Sequence, residues 1–345
     1  IIFCYTHCML DKNAQNLISN TVTNIDALAA HTKASSDPLR LNILRILGEG
    51  SFGVLELCQL FEVKQSSMSH HLKILANAGL VTTRREGNSI FYRRSLLNVA
   101  AASLNPTWFD LTEILFRTLD KLAVSETITE RLQELYQERA RNSQEFFTKH
   151  AAEFHEKQDL IASHEQYGET LEDLVATLNL QQTRTALEIG PGEGALLPAL
   201  SKRFQHVIGL DVSEAMLKKA RLKVADQNLE NIELVHGDCQ VALNQAIEAD
   251  LVTCNMVLHH VPAPKEIFNH SAQLLKPGGC LLITDLCAHD QTWARESCGD
   301  LWLGFAPEDL TSWAKEALLI EEQTQFLALR NGFQIQFRTF RRAEA

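Results

Sequence analysis

From Thr185 onward, short apolar runs alternate with segments of helical character: TALEIG, HVIGLD, IELVHGD, ADLVTCNMV and GCLLITDL. No other feature of the chain narrows its fold as far. Strands that recur with a helix between them pair in parallel, and the helices cover both faces of the sheet. The expectation is an α/β, Rossmann-like, doubly wound domain. Near the end, FLALRNGFQIQF sets Asn331-Gly332 between two β-rich runs. That pair favours a hairpin, which adds an antiparallel edge. Ligands of such sheets lie beyond the carboxyl ends of the strands, so the informative residues are sought there.

The first strand runs into Glu188-Ile-Gly190-Pro-Gly192-Glu-Gly194. Glycines let a backbone turn tightly and approach a ligand closely. The second strand ends in Asp211, where a carboxylate can accept both hydroxyls of a ribose. Gly190-x-Gly192-x-x-Ala195 also fits a dinucleotide fingerprint, so two cofactor classes stay open at this point. Three features separate them: the acid at Glu188, two residues before the first glycine; Gly237-Asp238-Cys239 at the end of the third strand; and LLKPGGCLLITDL, with a Pro-Gly-Gly turn expected ahead of the fifth strand.

Together these residues resemble the class I S-adenosylmethionine-dependent methyltransferases over roughly residues 145–341. The resemblance implies that the Gly190–Gly194 loop packs against the methionine and ribose of S-adenosylmethionine. It implies that Asp211 takes the ribose hydroxyls, Asp238 reads the adenine amine and Asn255 lies near the sulfonium. Val212, Met216, Cys239 and Tyr167 complete the expected cofactor set. His259 and His260, in VLHHVPAP, are the ionisable candidates beside the fourth strand, one of them as general base for an unknown small-molecule methyl acceptor; packing and pocket-lining roles are the plainer alternative. Trp293, Trp302, Phe305 and His289 lie in DLCAHDQTWARESCGDLWLGFAPEDL, where an acceptor pocket is expected. DNA methylation ranks low, because Asn255-Met256-Val257-Leu258 departs from the Asp/Asn-Pro-Pro-Tyr/Phe of exocyclic-amine methyltransferases.

The N-terminal part has a different character. Asp37-Pro38 opens a helix, in which Leu39, Ile43, Ile46 and Leu47 form one stripe. VLELCQLFEV reads as a second helix. In QSSMSHHLKILANAGL, Met68, Leu72 and Leu75 share one face, and Gly79 closes the helix. Its other face is small, polar and basic, which suits the major groove. Two β-rich runs around Glu86-Gly87-Asn88 read as a hairpin, with Arg84 and Arg85 at its neck. Between Pro38 and Arg94 eight basic residues face four acidic ones, although the whole chain carries −11. A local basic patch on an acidic protein still suits DNA.

This block resembles the ArsR/SmtB winged-helix repressors over about 60 residues. The resemblance implies a homodimer on double-stranded operator DNA, with Gln65, Ser66, Ser67, Ser69, His70 and Lys73 on the recognition helix and Arg84 and Arg85 on the wing. His71 is expected to pack inward. Metal-sensing members carry ELCxC; here Glu56-Leu57-Cys58-Gln59-Leu60 has lost the second cysteine. Cys58 is therefore read as a core thiol, and no metal site is expected.

Four segments follow: an N-terminal extension over 1–27, a winged helix-turn-helix over 28–100, a helical dimerisation connector over 101–144 and the methyltransferase domain over 145–345. Phe146, Phe147, Phe154 and Tyr167 are candidates to cover the cofactor. IIFCYTHCML lacks the basic flank and cleavage site of a signal peptide, and Met9 is the expected native start, with residues 1–8 upstream of it. The eight cysteines form no CxxC pair. With no run of about 18 apolar residues, reduced thiols and a cytoplasmic, membrane-free chain are expected. Two functions remain open. One is a regulator whose fused domain methylates a small molecule or senses S-adenosylmethionine or S-adenosylhomocysteine. The other is an active methyltransferase whose winged helix only autoregulates its operon.

Overall fold

The computed structural model describes residues 25–86, 89–95, 106–150 and 154–344. Met9, Cys4, Cys8, the Gly87-Asn88 tip and the side chains of Phe147 and Phe154 lie outside what is described. The chain forms two compact units, residues 1–132 and 133–345.

The first unit begins with α1 (Ile25–Ala34) and α2 (Pro38–Ile46). Asp37 caps α2: its Oδ1 accepts from Arg40 N at 3.0 Å, and Pro38 supplies the first helical residue. Asp37→Ala is expected to cost about 1 kcal/mol of unfolding free energy, read by urea denaturation of the full chain. Next come β1 (Phe52–Gly53), α3 (Val54–Phe61) and α4 (Gln65–Asn77). Met68, Leu72 and Leu75 are the buried residues of α4, as their spacing requires. Gly79, at φ +70, ends the helix, with Leu80 N donating to Leu75 O.

β2 (Val81–Glu86) and β3 (Ser89–Arg94) pair antiparallel from Val81↔Arg94 to Glu86↔Ser89, and β1 adds to the far side of β3. Helix α5 (Pro106–Asp120) is tied back by Arg94, which bonds Asp120 at 2.7 Å and lies over the Phe116 ring. Leu60 is buried in the core, and Cys58 is half-buried, with its thiol pushed up by burial. Helix α6 (Glu126–His150) runs on into the second unit.

The second unit adds α7 (Phe154–Ala162) and α8 (His164–Thr177), then β4 (Thr185–Ile189), α9 (Leu197–Arg203), β5 (His206–Asp211), α10 (Glu214–Asp226), β6 (Ile232–His236), α11 (Cys239–Asn244) and β7 (Ala249–Asn255). A short 3-10 turn (Leu258–His260) leads to α12 (Pro264–Leu274) and β8 (Leu275–Leu286). The chain closes with α13 (Trp293–Cys298), α14 (Pro307–Glu316), β9 (Leu319–Ala328) and β10 (Gln334–Arg342). The seven strands lie in the order β6-β5-β4-β7-β8-β10-β9. The first five are parallel; β10 and β9 are antiparallel.

The central strands are buried along nearly their whole length, as helices on both faces require. The chain moves outward from β4 to β6 and then restarts with β7 on the other side of β4. That reversal opens a crevice at the carboxyl ends of β4 and β7.

One expectation needs correction. The Lys-Pro-Gly-Gly stretch is not a turn ahead of the fifth strand but a bulge inside it. Leu275 pairs with Ala249 and Cys280 with Leu251, so residues 276–279 loop out opposite Asp250. The Asp250 carboxylate fills the gap: it accepts from Arg184 N and Thr185 N at 2.8 and 2.9 Å and from Lys276 Nζ at 3.0 Å.

Candidate functional site

The glycine loop leaves β4 at the crevice. Gly190, Gly192 and Gly194 all have positive φ (+68, +54 and +81), a region that L side chains avoid. They differ in surroundings. A Cβ on Gly190 would sit 2.6 Å from Val257 Cγ2, whereas a Cβ on Gly192 meets nothing within 4 Å. Gly190 serves packing; Gly192 borders open space. Gly194 N donates to Pro191 O at 2.7 Å and closes the turn.

Asp211, at the end of β5, accepts from Gly192 N at 3.2 Å and Ser213 N at 2.8 Å. Burial pushes its carboxyl up to about 6 despite those donors. Glu188 is fully enclosed, and burial and then the Asp211 charge push it up to about 8. Its Oε2 has no hydrogen-bond partner, nor have Asn255 Oδ1 and Asp285 Oδ2 at the ends of β7 and β8. Buried polar atoms normally find partners, so three orphans gathered at neighbouring strand ends point to a polar ligand. Tyr167, buried on α8, places its hydroxyl against the Asn255 side chain, and burial raises it to about 12.

The remaining residues expected to hold the cofactor are spread more widely. Met216 is buried, with its N–H on Ser213 Oγ. Val212 is 49% exposed, and His236 Nε2 donates to its carbonyl. Asp238 is exposed, and its Oδ1 caps α11 through Gln240 N and Val241 N. Cys239 beside it is buried, its thiol raised to about 12 by that burial. Met256, just past β7, holds φ +52 while buried. Such strain collects at functional sites.

His259 and His260 follow on the 3-10 turn, both buried. His259 Nδ1 lies 2.8 Å from Asp285 Oδ1, and its Nε2 lies 3.9 Å from Asp300 Oδ1. Burial pulls the imidazole down, but Asp285 and Asp300 outweigh it and raise it to about 9. His260 Nδ1 lies 3.3 Å from Gly299 O and 3.8 Å from Asp300 Oδ1. Burial and the neighbouring His259 hold it well below the usual histidine range. Asp285 and Asp300 are missing from the residues the sequence singled out. Asp285 carried a signal, as an acid near the carboxyl end of the fifth parallel strand. Asp300 carried none, because only the fold brings residues 299–302 back to the turn.

That return is extensive. Leu301 N and Trp302 N both donate to His259 O, and Trp302 Nε1 donates to Val261 O at 2.8 Å. Arg139 lies over the Trp302 ring and bonds Pro262 O. Of the other pocket candidates, Trp302 and Phe305 are buried, and His289 stacks edge-on against Phe333.

In the first unit, Gln65, Ser66, Ser67, Ser69, His70 and Lys73 are all exposed on α4, whose buried residues are Met68, Leu72 and Leu75. Arg84 is half-buried and Arg85 exposed on β2. His71 is half-buried, 3.8 Å from Asp37. Among the described residues no helix is long and apolar enough to cross a membrane.

Comparison with known proteins divides along the same lines. Residues 37–83 match the family described as bacterial regulatory protein, arsR family, and residues 187–283 match the methyltransferase domain family. Curated relatives include the ubiquinone biosynthesis O-methyltransferases of Salmonella arizonae and Salmonella typhimurium. Each is 29% identical over 153 residues, 40% of this chain and 63% of the relative; the chain thus spans less than two thirds of their length. Among solved structures, an O-methyltransferase family protein from Burkholderia thailandensis aligns at TM-score 0.44 and 16% identity, over 96% of this chain and 98% of that one. The N-methyltransferase NodS from Bradyrhizobium japonicum, in complex with S-adenosyl-L-homocysteine, aligns at 0.43 and 18%, over 55% and 98%. One chain therefore carries an arsR-family helix-turn-helix segment and, after it, a methyltransferase domain.

Proposed function

We propose that this chain is a DNA-binding transcriptional regulator whose second unit binds S-adenosylmethionine and methylates a small molecule. The observation that carries the cofactor reading is the open space at Gly192 together with the buried, unpartnered oxygens Glu188 Oε2 and Asn255 Oδ1. Glu188 suits the cationic methionine end, Asp211 the ribose, and Val212, Asp238 and Cys239 the adenine side. When bound, the cofactor supplies an already activated methyl group. What remains for the protein is to align an acceptor and exclude water. Asn255, Tyr167 and the buried His259–His260 turn stand on the side where the acceptor would approach.

The exposed polar face of α4 and the arginines of β2 support the DNA reading, with a homodimer on operator DNA. Arg84→Ala combined with Arg85→Ala is expected to weaken DNA binding across sequences. It should also flatten the slope of log affinity against log salt by about 1 for each phosphate no longer neutralised. Gel-shift titrations at several salt concentrations read both.

Calorimetric titration of the full chain with S-adenosylmethionine and S-adenosylhomocysteine, with and without promoter DNA, tests the whole reading. An affinity that changes on adding DNA means the sites are coupled, because linkage is reciprocal. Equal affinities mean two independent modules, with the winged helix regulating only its own genes. No binding of either compound removes the cofactor assignment.

A further inference from the structure

The His259–His260 turn and the loop that returns to it hold a set of groups that methyl transfer does not call for. We propose that His259, His260 and Asp300 form a binding site for a divalent transition-metal ion, with Asp285 supporting His259 from behind.

Three observations carry this. The ligand atoms of the three residues all lie within 4.8 Å of one another, and all three side chains are buried. Asp300 Oδ1 is nearly equidistant from His259 Nε2 and His260 Nδ1, at 3.9 and 3.8 Å. Around a tetrahedral ion with bonds near 2.0–2.1 Å, such atoms stand about 3.4 Å apart. The carboxylate needs to close on each imidazole by only about half an ångström, and the two imidazoles on each other by no more than about 1.4 Å. His259 Nδ1 is held by Asp285 at 2.8 Å, which turns Nε2 toward the ion. A carboxylate behind a ligating imidazole is the common support in such centres.

Two imidazoles and one carboxylate favour zinc, cobalt, nickel or iron over magnesium or calcium, which prefer all-oxygen sets. Three protein ligands leave a fourth position open. His260 would surrender its long hydrogen bond to Gly299 O, 3.3 Å, and carry its proton on Nε2. The ion itself does not depend on the methyltransferase reading. A role for it in holding an ionised acceptor oxygen or sulfur does.

The rival occupant of the site is a proton on His259, and one experiment separates the two. The full chain is stripped with chelator and titrated with Co²⁺, with Zn²⁺ as competitor. The expected result is one equivalent bound, with the visible bands of tetrahedral cobalt and displacement by zinc. His260→Ala and Asp300→Asn should each lose the bands, and Asp285→Asn should weaken binding about 10–100-fold. No stoichiometric binding, or binding unchanged in those variants, overturns the site. Should the variants fold poorly, X-ray absorption of the zinc-loaded wild-type chain decides without them: two imidazoles with light-atom scatterers support the site, and sulfur ligands overturn it. Neither readout needs S-adenosylmethionine, so failure here leaves the cofactor reading untouched.

Discussion

Gly192→Leu is expected to abolish S-adenosylmethionine binding, with affinity falling at least ~100-fold by calorimetry, a loss of about 2.7 kcal/mol, while the fold persists. At φ +54 any L side chain costs about 1–2 kcal/mol. Beyond that, the new Cβ meets no protein atom within 4 Å. The leucine therefore fills ligand space rather than core. Gly190→Ala supplies the contrast: its Cβ would press on Val257 Cγ2 at 2.6 Å, so it should lower the thermal midpoint. Circular dichroism melts run beside the titrations separate the two. Wild-type affinity in Gly192→Leu would mean that the loop does not border the cofactor.

Glu188→Gln is expected to stabilise the ligand-free chain at pH 8 and leave it nearly unchanged at pH 4.5. Burial and Asp211 raise the folded-state value of Glu188 to about 8, against an unfolded value of about 4.3. The folded state thus binds this proton more tightly. Its contribution is fully present below about pH 4.3 and is lost as pH rises to about 8. The shift corresponds to several kcal/mol, on the order of 4. The amide removes that loss, so the difference between variant and wild type in urea unfolding should grow steadily with pH across this window. The same variant should bind S-adenosylmethionine more weakly, because the cationic end of the cofactor loses its counter-charge. A flat difference between pH 4.5 and 8 would place Glu188 in a solvated position instead.

Much of this was legible in the amino-acid order. The period of apolar residues marked the buried stripe of α4, and the alternation of strands and helices marked the parallel sheet. The Asn331-Gly332 hairpin emerged at β9 and β10. Local pattern failed where long-range pairing decided. Pro277-Gly278-Gly279 has turn chemistry, yet pairing on both flanks and the Asp250 carboxylate absorb it as a bulge within β8. The two histidines read alike in sequence. Their partners differ because one imidazole reaches back to β8 and the other to the Gly299 carbonyl. Asp300 was invisible for the same reason: forty residues separate it from His260, and no spacing rule spans that distance.

The return of residues 299–302 to the His259–His260 turn also bears on how this domain could change over evolution. In many enzymes the loops that choose a substrate can be exchanged while the scaffold keeps its chemistry. Here the His259–His260 turn is joined to the loop that follows α13 by both main chain and side chain. The His259 carbonyl anchors Leu301 and Trp302, and its imidazole lies between Asp285 and Asp300. A grafted loop would have to supply the amides, the indole and the acid together. Change in this loop should therefore proceed by single substitutions, and wholesale loop swaps from relatives should arrive misfolded.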